Sequence, residues 1–407
     1  SIPAARIARD TACTLFASAP GAPSARMLFD GRAVSPAGAA YAGASQIDSF
    51  DAHDGHPLTK GHTGVTVLPT LLAFADGAVP LSGREALTCM VAGYELATRA
   101  AVALHATVPD YHTSGAWNAL AAAAVGVRVK RLGEDVLRQA VGIAEYHGPR
   151  SQMMREIDNP SMLHDGSGWG ALAGASATVL AAQGFTGAPA ITIEAGDVKE
   201  FWDDLGSTWL ITEHYIKPYP VCRWAHAVID GALTLRDNHS LTGEDIEAVE
   251  ISTYLDAAKL ATDMPTTTHR AQYSLAYPVA AALQRGRVGV DEVMGSGFDD
   301  PGIRRLVEVT NVREDPIYNP PRVRGRPSEV TLVLRDGRRV SSGTVVPRGG
   351  PDEPLSREEV TAKFRDYVLP VIGEQRADAI ERAVFALEKP QETLNTLLEL
   401  VLSPVKG

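Results

Sequence analysis

Positions 48 to 64 run Asp48-Ser-Phe-Asp51-Ala-His53-Asp54-Gly55-His56-Pro-Leu-Thr59-Lys60-Gly61-His62-Thr63-Gly64. Three histidines and three aspartates share this stretch with three glycines and one proline, so it reads as a loop. Its polar side chains must be solvated, paired or functional, and three readings fit. Histidine titrates near neutrality and neighbouring carboxylates set its tautomer, which suits acid–base work or substrate binding. His53, Asp54 and His56 are also ligand types that suit zinc or iron. The third reading is an exposed polar loop. No second ligand-spaced cluster closes a metal site, so no metal ligand is expected.

Further candidates lie downstream. Tyr111-His112-Thr113-Ser114-Gly115 precedes an Ala-rich stretch, where Thr113 or Ser114 could cap a helix whose open N–H groups favour a carboxylate. Read without that role, His112 is structural. Arg150 and Arg155 flank a turn at Asn159-Pro160 together with His164-Asp165-Gly166-Ser167-Gly168. Arginine pairs bidentately with carboxylates, while the bland reading leaves both on the surface. No strand precedes Gly166-Ser-Gly168, so close helix packing explains these glycines better than a dinucleotide fingerprint. Lys217-Pro-Tyr-Pro-Val-Cys222-Arg223-Trp-Ala-His226 falls at a change of texture. Its prolines stiffen the segment, and Lys217, Arg223, Cys222 and His226 could grip an anion at a cleft or belong to a rigid linker.

Elements must hold these residues in place. Helical periodicity predicts helices over 86–106, 116–131, 135–146 and 169–183, the first burying Leu87, Met90, Val91, Tyr94, Ala97 and Ala101. Gly184 is expected as a C-cap. The second helix is so rich in Ala that close helix-on-helix packing is its expected use. After Pro220 a helix over 226–237 gives way to alternating strands over 246–254, 329–334 and 338–345, with Asp336-Gly337 as a hairpin turn and 306–312 as a further strand. Residues 347–354 read as a linker, and helix returns at Ser356, an N-cap with Glu359 three residues on. The expected fold is mainly α: residues 1–215 plus 351–407 form a discontinuous helical-bundle domain, and 216–350 an inserted, smaller α+β domain.

The whole chain has 407 residues, 45% of them hydrophobic, and a net charge of −11. Neither an acidic balance nor the lack of a Lys/Arg cluster suits nucleic acid. The longest apolar run, 119–127, is about half of the ~20 residues a membrane span needs. Three widely spaced cysteines argue against a disulfide framework and fit a cytoplasmic location. The opening Ser-Ile-Pro-Ala-Ala-Arg lacks the apolar core of a signal peptide, and no Met begins it, which leaves room for native residues ahead of Ser1.

Five stretches taken together resemble the MmgE/PrpD family, which includes 2-methylcitrate dehydratase, cis-aconitate decarboxylase and iminodisuccinate epimerase. They are Ser49-Phe-Asp51 with His62-Thr-Gly-Val-Thr-Val-Leu-Pro69; Tyr111 to Gly115; Gln183-Gly-Phe-Thr-Gly-Ala-Pro189; Lys217 to Cys222 with His226; and Tyr273-Ser-Leu-Ala-Tyr277. The resemblance implies a helical domain with an α+β lid, a homodimer, a site between domains and no cofactor. Carried over by position, it implies active-site roles for Asp51, His62, His112, Lys217 and the lid Tyr277, and a counterpart for His164. The chain departs from the pattern at His53-Asp54-Gly55, where the family has Asp-Asp-Thr, and at Ser161, where several members have Lys. Arg150 or Arg155 is the candidate replacement for that cation. The implied reaction is that of a lyase, first a dehydratase of a small di- or tricarboxylate such as 2-methylcitrate. His62 or His112 would be base or acid, Asp51 and Asp54 would orient them, His56 would line the site, and Lys217 with Arg223 would bind carboxylate. An epimerase or decarboxylase would use the same groups, whereas a non-catalytic carboxylate-binding protein or a metallohydrolase fits less well.

Overall fold

The computed structural model describes residues 2–320 and 325–405. Ser1 and residues 406–407, at the ends of the expected helical domain, lie outside them. Helix accounts for 56% of the chain and the sheets are small, so the protein is mainly α as expected. It divides into two compact units, Ser1–Met154 with Leu163–His214 and Arg357–Gly407, and Arg155–Met162 with Tyr215–Ser356.

The first unit holds α1 (Pro3–Leu15), α2 (Pro36–Asp48), α3 (Gly64–Ala75), α4 (Gly83–Thr107), α5 (Gly115–Val129) and α6 (Glu134–His147), then the helices Ser167–Ala182, Arg357–Ala386 and Asn395–Leu402. Capping chemistry fixes two of the starts. Ser35 accepts the Gly38 N–H ahead of Pro36, and Ser82 accepts the Glu85 N–H. The Ala-rich α5 is buried on almost every side and packs on the Ser167–Ala182 helix. A Cβ on Gly174 would lie 2.2 Å from the Ala119 carbonyl oxygen, so only a bare backbone allows that approach. Close packing is thus the use of both the alanines and the glycines.

In α4 the expected apolar face holds at Ala97 and Ala101, which are fully buried, and is displaced by one residue ahead of them. Ala86, Cys89, Gly93 and Ala97 are the buried positions at its contact with α3 and α5, while Leu87, Met90, Val91 and Tyr94 are only half-buried beside them. Small residues face the neighbours because the helices approach closely, which sequence period alone does not reveal. Among the described residues, α4 is the one helix long and apolar enough to cross a membrane, and 56% of its apolar window is buried inside the unit. It also carries a buried ion pair, Arg99 Nε to Glu95 Oε2 at 3.2 Å. Arg99 further donates to Asp204 and to the carbonyls of Phe201 and Thr208.

The second unit centres on a four-stranded sheet in the order Thr310–Glu314, Ile246–Thr253, Glu329–Leu334, Arg339–Ser341. The first pair is parallel and the others antiparallel, with Ile251 facing Val312 on one side and Val330 on the other. The helices His226–Asn238 and Ala276–Arg285 pack together, and the former also packs on Glu329–Leu334. Gly337 turns the hairpin at φ +86°.

Two expected strands need correcting. Leu306 begins no strand: Pro301–Glu308 is helical, with Asp300 accepting the N–H groups of Gly302 and Ile303, and the strand starts only at Thr310. The cap at Asp300-Pro301 outweighs the β preference of the following valines. The strand expected over 338–345 is only Arg339–Ser341, because Gly343 at φ +62° turns the chain away. The 347–354 stretch, read as a linker, is irregular but held in the second unit, where Arg223 donates to the carbonyls of Pro347 and Arg348. Cys13, Cys89 and Cys222 form no disulfide.

Candidate functional site

The loop between α2 and α3 gathers Asp51, His53 and His62. Asp51 and His62 are buried, and the His53 side chain is 7% exposed. The rings of His53 and His62 lie 4.2 Å apart between centroids. Both turn their Nδ1 atoms towards one acceptor, the Asp54 carbonyl oxygen, at 3.3 Å and 2.5 Å. A carbonyl only accepts, so each Nδ1 carries its proton and each Nε2 faces the other way. There it meets carboxylates. Asp51 Oδ1 lies 3.6 Å from His53 Nε2 and 4.0 Å from His62 Nε2. Asp48 Oδ1 lies 3.8 Å from His53 Nε2, and Asp165 Oδ2 lies 3.4 Å from His62 Nε2. Burial, then the charges of Asp165 and Asp51, push the Asp48 carboxyl well above the usual carboxylate range.

The backbone that holds His62 is itself held from α5. Ser114 Oγ accepts the His62 N–H at 2.9 Å and donates to Asp165 Oδ2 at 2.8 Å, and Asn118 Nδ2 donates to the His62 carbonyl at 2.7 Å. Gly61 permits this contact, because a Cβ there would come within 2.5 Å of Ser114 Oγ. Ser114 stands at the start of α5 as expected, but its side chain makes no capping bond. The hydroxyl is spent on His62 and Asp165.

Asp54 is placed beside a residue that the sequence reading missed, His214, whose Nδ1 lies 3.2 Å from Asp54 Oδ2 and whose Nε2 lies 3.0 Å from the Thr98 hydroxyl. The Asp54 carboxylate also accepts the N–H of Gly64 at the start of α3. Burial alone would raise this carboxyl. The hydrogen bond from His214, the charges of His214 and His53, and the Gly64 N–H outweigh it and pull it down to about 2. His56 is completely buried against the His214 ring, and among the described residues neither of its ring nitrogens has a hydrogen bond. Burial, reinforced by the charge of His214, pushes it down to about 3. The metal trio read from spacing, His53, Asp54 and His56, does not gather. The residues whose ligand atoms lie within 4.8 Å of one another are Asp51, His53 and His62.

His112 lies two residues before Ser114 and is largely buried. Its N–H donates to His105 Nε2 at 3.2 Å, with the two rings stacked at 6.5 Å. Desolvation, then the positive charge of exposed Arg150, lowers its pKa and keeps the ring neutral. His164 is buried at φ +46° directly before Asp165. Arg155 is exposed.

The remaining candidates belong to the second unit. Lys217 is buried, at 1% exposure. Arg223 lies over the Tyr215 ring and donates to two carbonyls and towards His226 Nδ1, so it acts as a clamp on the 347–348 backbone. His226 Nε2 lies 3.1 Å from the Val221 carbonyl, and Cys222 is buried nearby in sequence. The Tyr277 hydroxyl donates to the Glu292 carbonyl at 2.5 Å.

A mainly helical protein whose centre is a buried set of histidines and carboxylates, with a neutral histidine set apart from it, is equipped for acid–base chemistry. The chain belongs to the MmgE/PrpD family: the N-terminal domain model of that family matches residues 3–198 and the C-terminal one residues 219–389. It is 26% identical over 400 residues to the cis-aconitate decarboxylase of Mus musculus, covering 91% of this chain and 79% of that one. The human cis-aconitate decarboxylase is 25% identical over 389 residues, covering 89% and 79%. A cis-aconitate decarboxylase-like protein of Aspergillus oryzae is 24% identical over 416 residues, covering 91% and 83%.

Proposed function

We propose that this chain is a lyase acting on a small di- or tricarboxylic acid, by chemistry at the carbon next to a carboxylate. The observation that carries the reading is the unequal setting of two histidines. His112 is held neutral by burial and by Arg150, whereas His62 presents Nε2 to Asp51 and Asp165. Environments that separate two titratable groups in this way divide base from acid. In the proposed dehydration, neutral His112 takes the proton from the carbon next to a carboxylate. His62, oriented by Asp51 and carrying a second proton on Nε2 between the Asp51 and Asp165 carboxylates, gives that proton to the departing hydroxyl, which leaves as water. Lys217 supplies positive charge for a substrate carboxylate and for the enolate-like intermediate. Tyr277 has its proton committed to the Glu292 carbonyl, so this reading gives it a positioning role instead of a proton transfer.

Loss of CO2 is the second reading, and the names of the relatives favour it. Decarboxylation needs only a proton donor at carbon and cations for the carboxylates, which the same groups supply. Proton NMR in D2O with 2-methylcitrate, citrate, cis-aconitate and small hydroxy- or amino-dicarboxylates separates the two. New vinylic signals from a hydroxy acid establish dehydration. Consumption of cis-aconitate with release of CO2 establishes decarboxylation. Deuterium at one α-carbon without elimination would replace both with an epimerase, and silence across the panel would remove the lyase reading.

A further inference from the structure

His53 and His62 each stand between two kinds of acceptor. On one side the Asp54 carbonyl takes both Nδ1–H groups. On the other, Asp48 and Asp51 face Nε2 of His53, and Asp51 and Asp165 face Nε2 of His62. An ionised carboxylate is the stronger acceptor. The Nδ1–H tautomers therefore hold only while the Asp54 carbonyl is kept in place, and the Gly55 that follows it adds no stiffness. What holds it is the Asp54 side chain. Its carboxylate accepts the Gly64 N–H at 3.2 and 3.3 Å and lies 3.2 Å from His214 Nδ1. A carboxyl held down to about 2 is ionised and only accepts, so His214 Nδ1 is the donor. The His214 side chain, 6% exposed, is fixed in turn from α4. The Thr98 hydroxyl lies 3.0 Å from Nε2, and the Tyr94 ring, one turn earlier, stands edge-on with centroids 5.0 Å apart. One ring nitrogen is tied to a long helix and the other to Asp54.

We propose that His214 is a positioning residue that acts through Asp54 to keep the protons of His53 and His62 on Nδ1. The line of contacts runs from Thr98 through the His214 ring to the Asp54 carboxylate, and from the carbonyl of the same residue to both imidazoles. For His62 the consequence is definite. With Nδ1–H anchored, the proton it releases is the one on Nε2, the nitrogen that faces Asp51 and Asp165. Without the anchor, Nε2–H bonded to a carboxylate becomes the resting form, and Nδ1 is left to exchange the proton instead. His214 touches no reacting atom in this scheme. The consequence for turnover rests on the proposed lyase reading; the tautomers themselves do not.

The test reads tautomers first and turnover second. The full chain, labelled with 15N-histidine, is examined at alkaline pH by two-bond 1H–15N correlation, with His53→Gln and His62→Gln to assign the signals. Wild type should show Nδ1–H for both rings. His214→Phe keeps a ring and loses both nitrogens, and should move His62 towards Nε2–H. His214→Asn places an amide N–H where Nδ1 stood and should restore most of the wild-type pattern. Circular dichroism checks folding, and Thr98→Val, which frees the other end of the ring, carries the same measurement should His214→Phe fail to fold. Nε2–H tautomers in the wild type, or wild-type tautomers in the folded variant, overturn the proposal. With a reacting acid in hand, kcat of His214→Phe should fall by about 100-fold with KM near the wild-type value, as expected when proton transfer and not binding is impaired. Silence across the substrate panel removes the lyase reading and leaves the tautomer measurement to decide this one.

Discussion

A positive charge beside a base decides where that base stops working in acid. His112 is lowered by burial and by Arg150, so Arg150→Ala raises its pKa. A base with a higher pKa is protonated at a higher pH, and the acid limb of the kcat/KM profile moves upward. A profile measured for wild type and Arg150→Ala between pH 4 and 8 checks this; an unmoved limb would take His112 out of the base role. His112→Ala should abolish turnover yet leave the urea midpoint close to wild type, because the ring Nδ1 has no hydrogen-bond partner among the described residues. At this scale the sequence was readable wherever residues were close in it. Asp51, His62 and His112 sit in dense polar stretches, and those stretches announce themselves. His214 does not: it lies 160 positions from Asp54 in a stretch with no motif, and only the folded chain brings it there. Ser114 stood in plain view, but its local reading as a helix cap hid its bond to Asp165.

Elements were legible to the extent that their period was simple. The helices from α4 to the Ser167–Ala182 helix and the strand Glu329–Leu334 follow from apolar spacing. The first half of the α4 face came out one residue off because close packing selects small side chains, while Ala97 and Ala101 are buried as expected, and the helix at Pro301 was hidden behind valines. What α4 does hold is a buried charge. Arg99 and Glu95 are each about 2% exposed, and Glu95 also accepts the N–H of Ile211. Removing one partner strands the other, so Arg99→Leu should destabilise the protein by about 3–5 kcal/mol. Urea denaturation at pH 7 measures it; a loss below about 1 kcal/mol would mean that water or a neighbour replaces the guanidinium. The double variant Arg99→Leu with Glu95→Leu should recover part of the loss.

For the molecule as a whole, two histidines set the response to acid. His56 is pushed down to about 3 and His105 to about 4, each by burial first, from an ordinary value of 6.5. Between the ordinary and the lowered values the unfolded chain binds protons that the folded chain refuses. Stability therefore falls as pH drops from about 6.5 towards 3, with His56 contributing on the order of 4 kcal/mol across that window. The depressed Asp54 adds a further loss below pH 4, since its stabilising charge disappears as pH falls from its unfolded value towards 2. Urea midpoints at pH 7, 6 and 5 should decline, and His56→Leu should flatten the decline. An equally steep slope in that variant would assign the effect elsewhere.

The first unit is closed by the last part of the chain. The Leu394 N–H donates to the Leu81 carbonyl, the Gly83 N–H to that of Glu392, and the Phe29 N–H to that of Val401. Lys363 reaches the Ala52 carbonyl, one residue from His53. On the ribosome, then, residues 1–214 emerge first and wait through the synthesis of Tyr215–Ser356 before their remaining partners exist. At ~5–20 residues per second that interval lasts on the order of ten seconds or more. The half-built bundle exposes apolar surface for that time, so slower translation of 215–356 should lower the yield of folded chain.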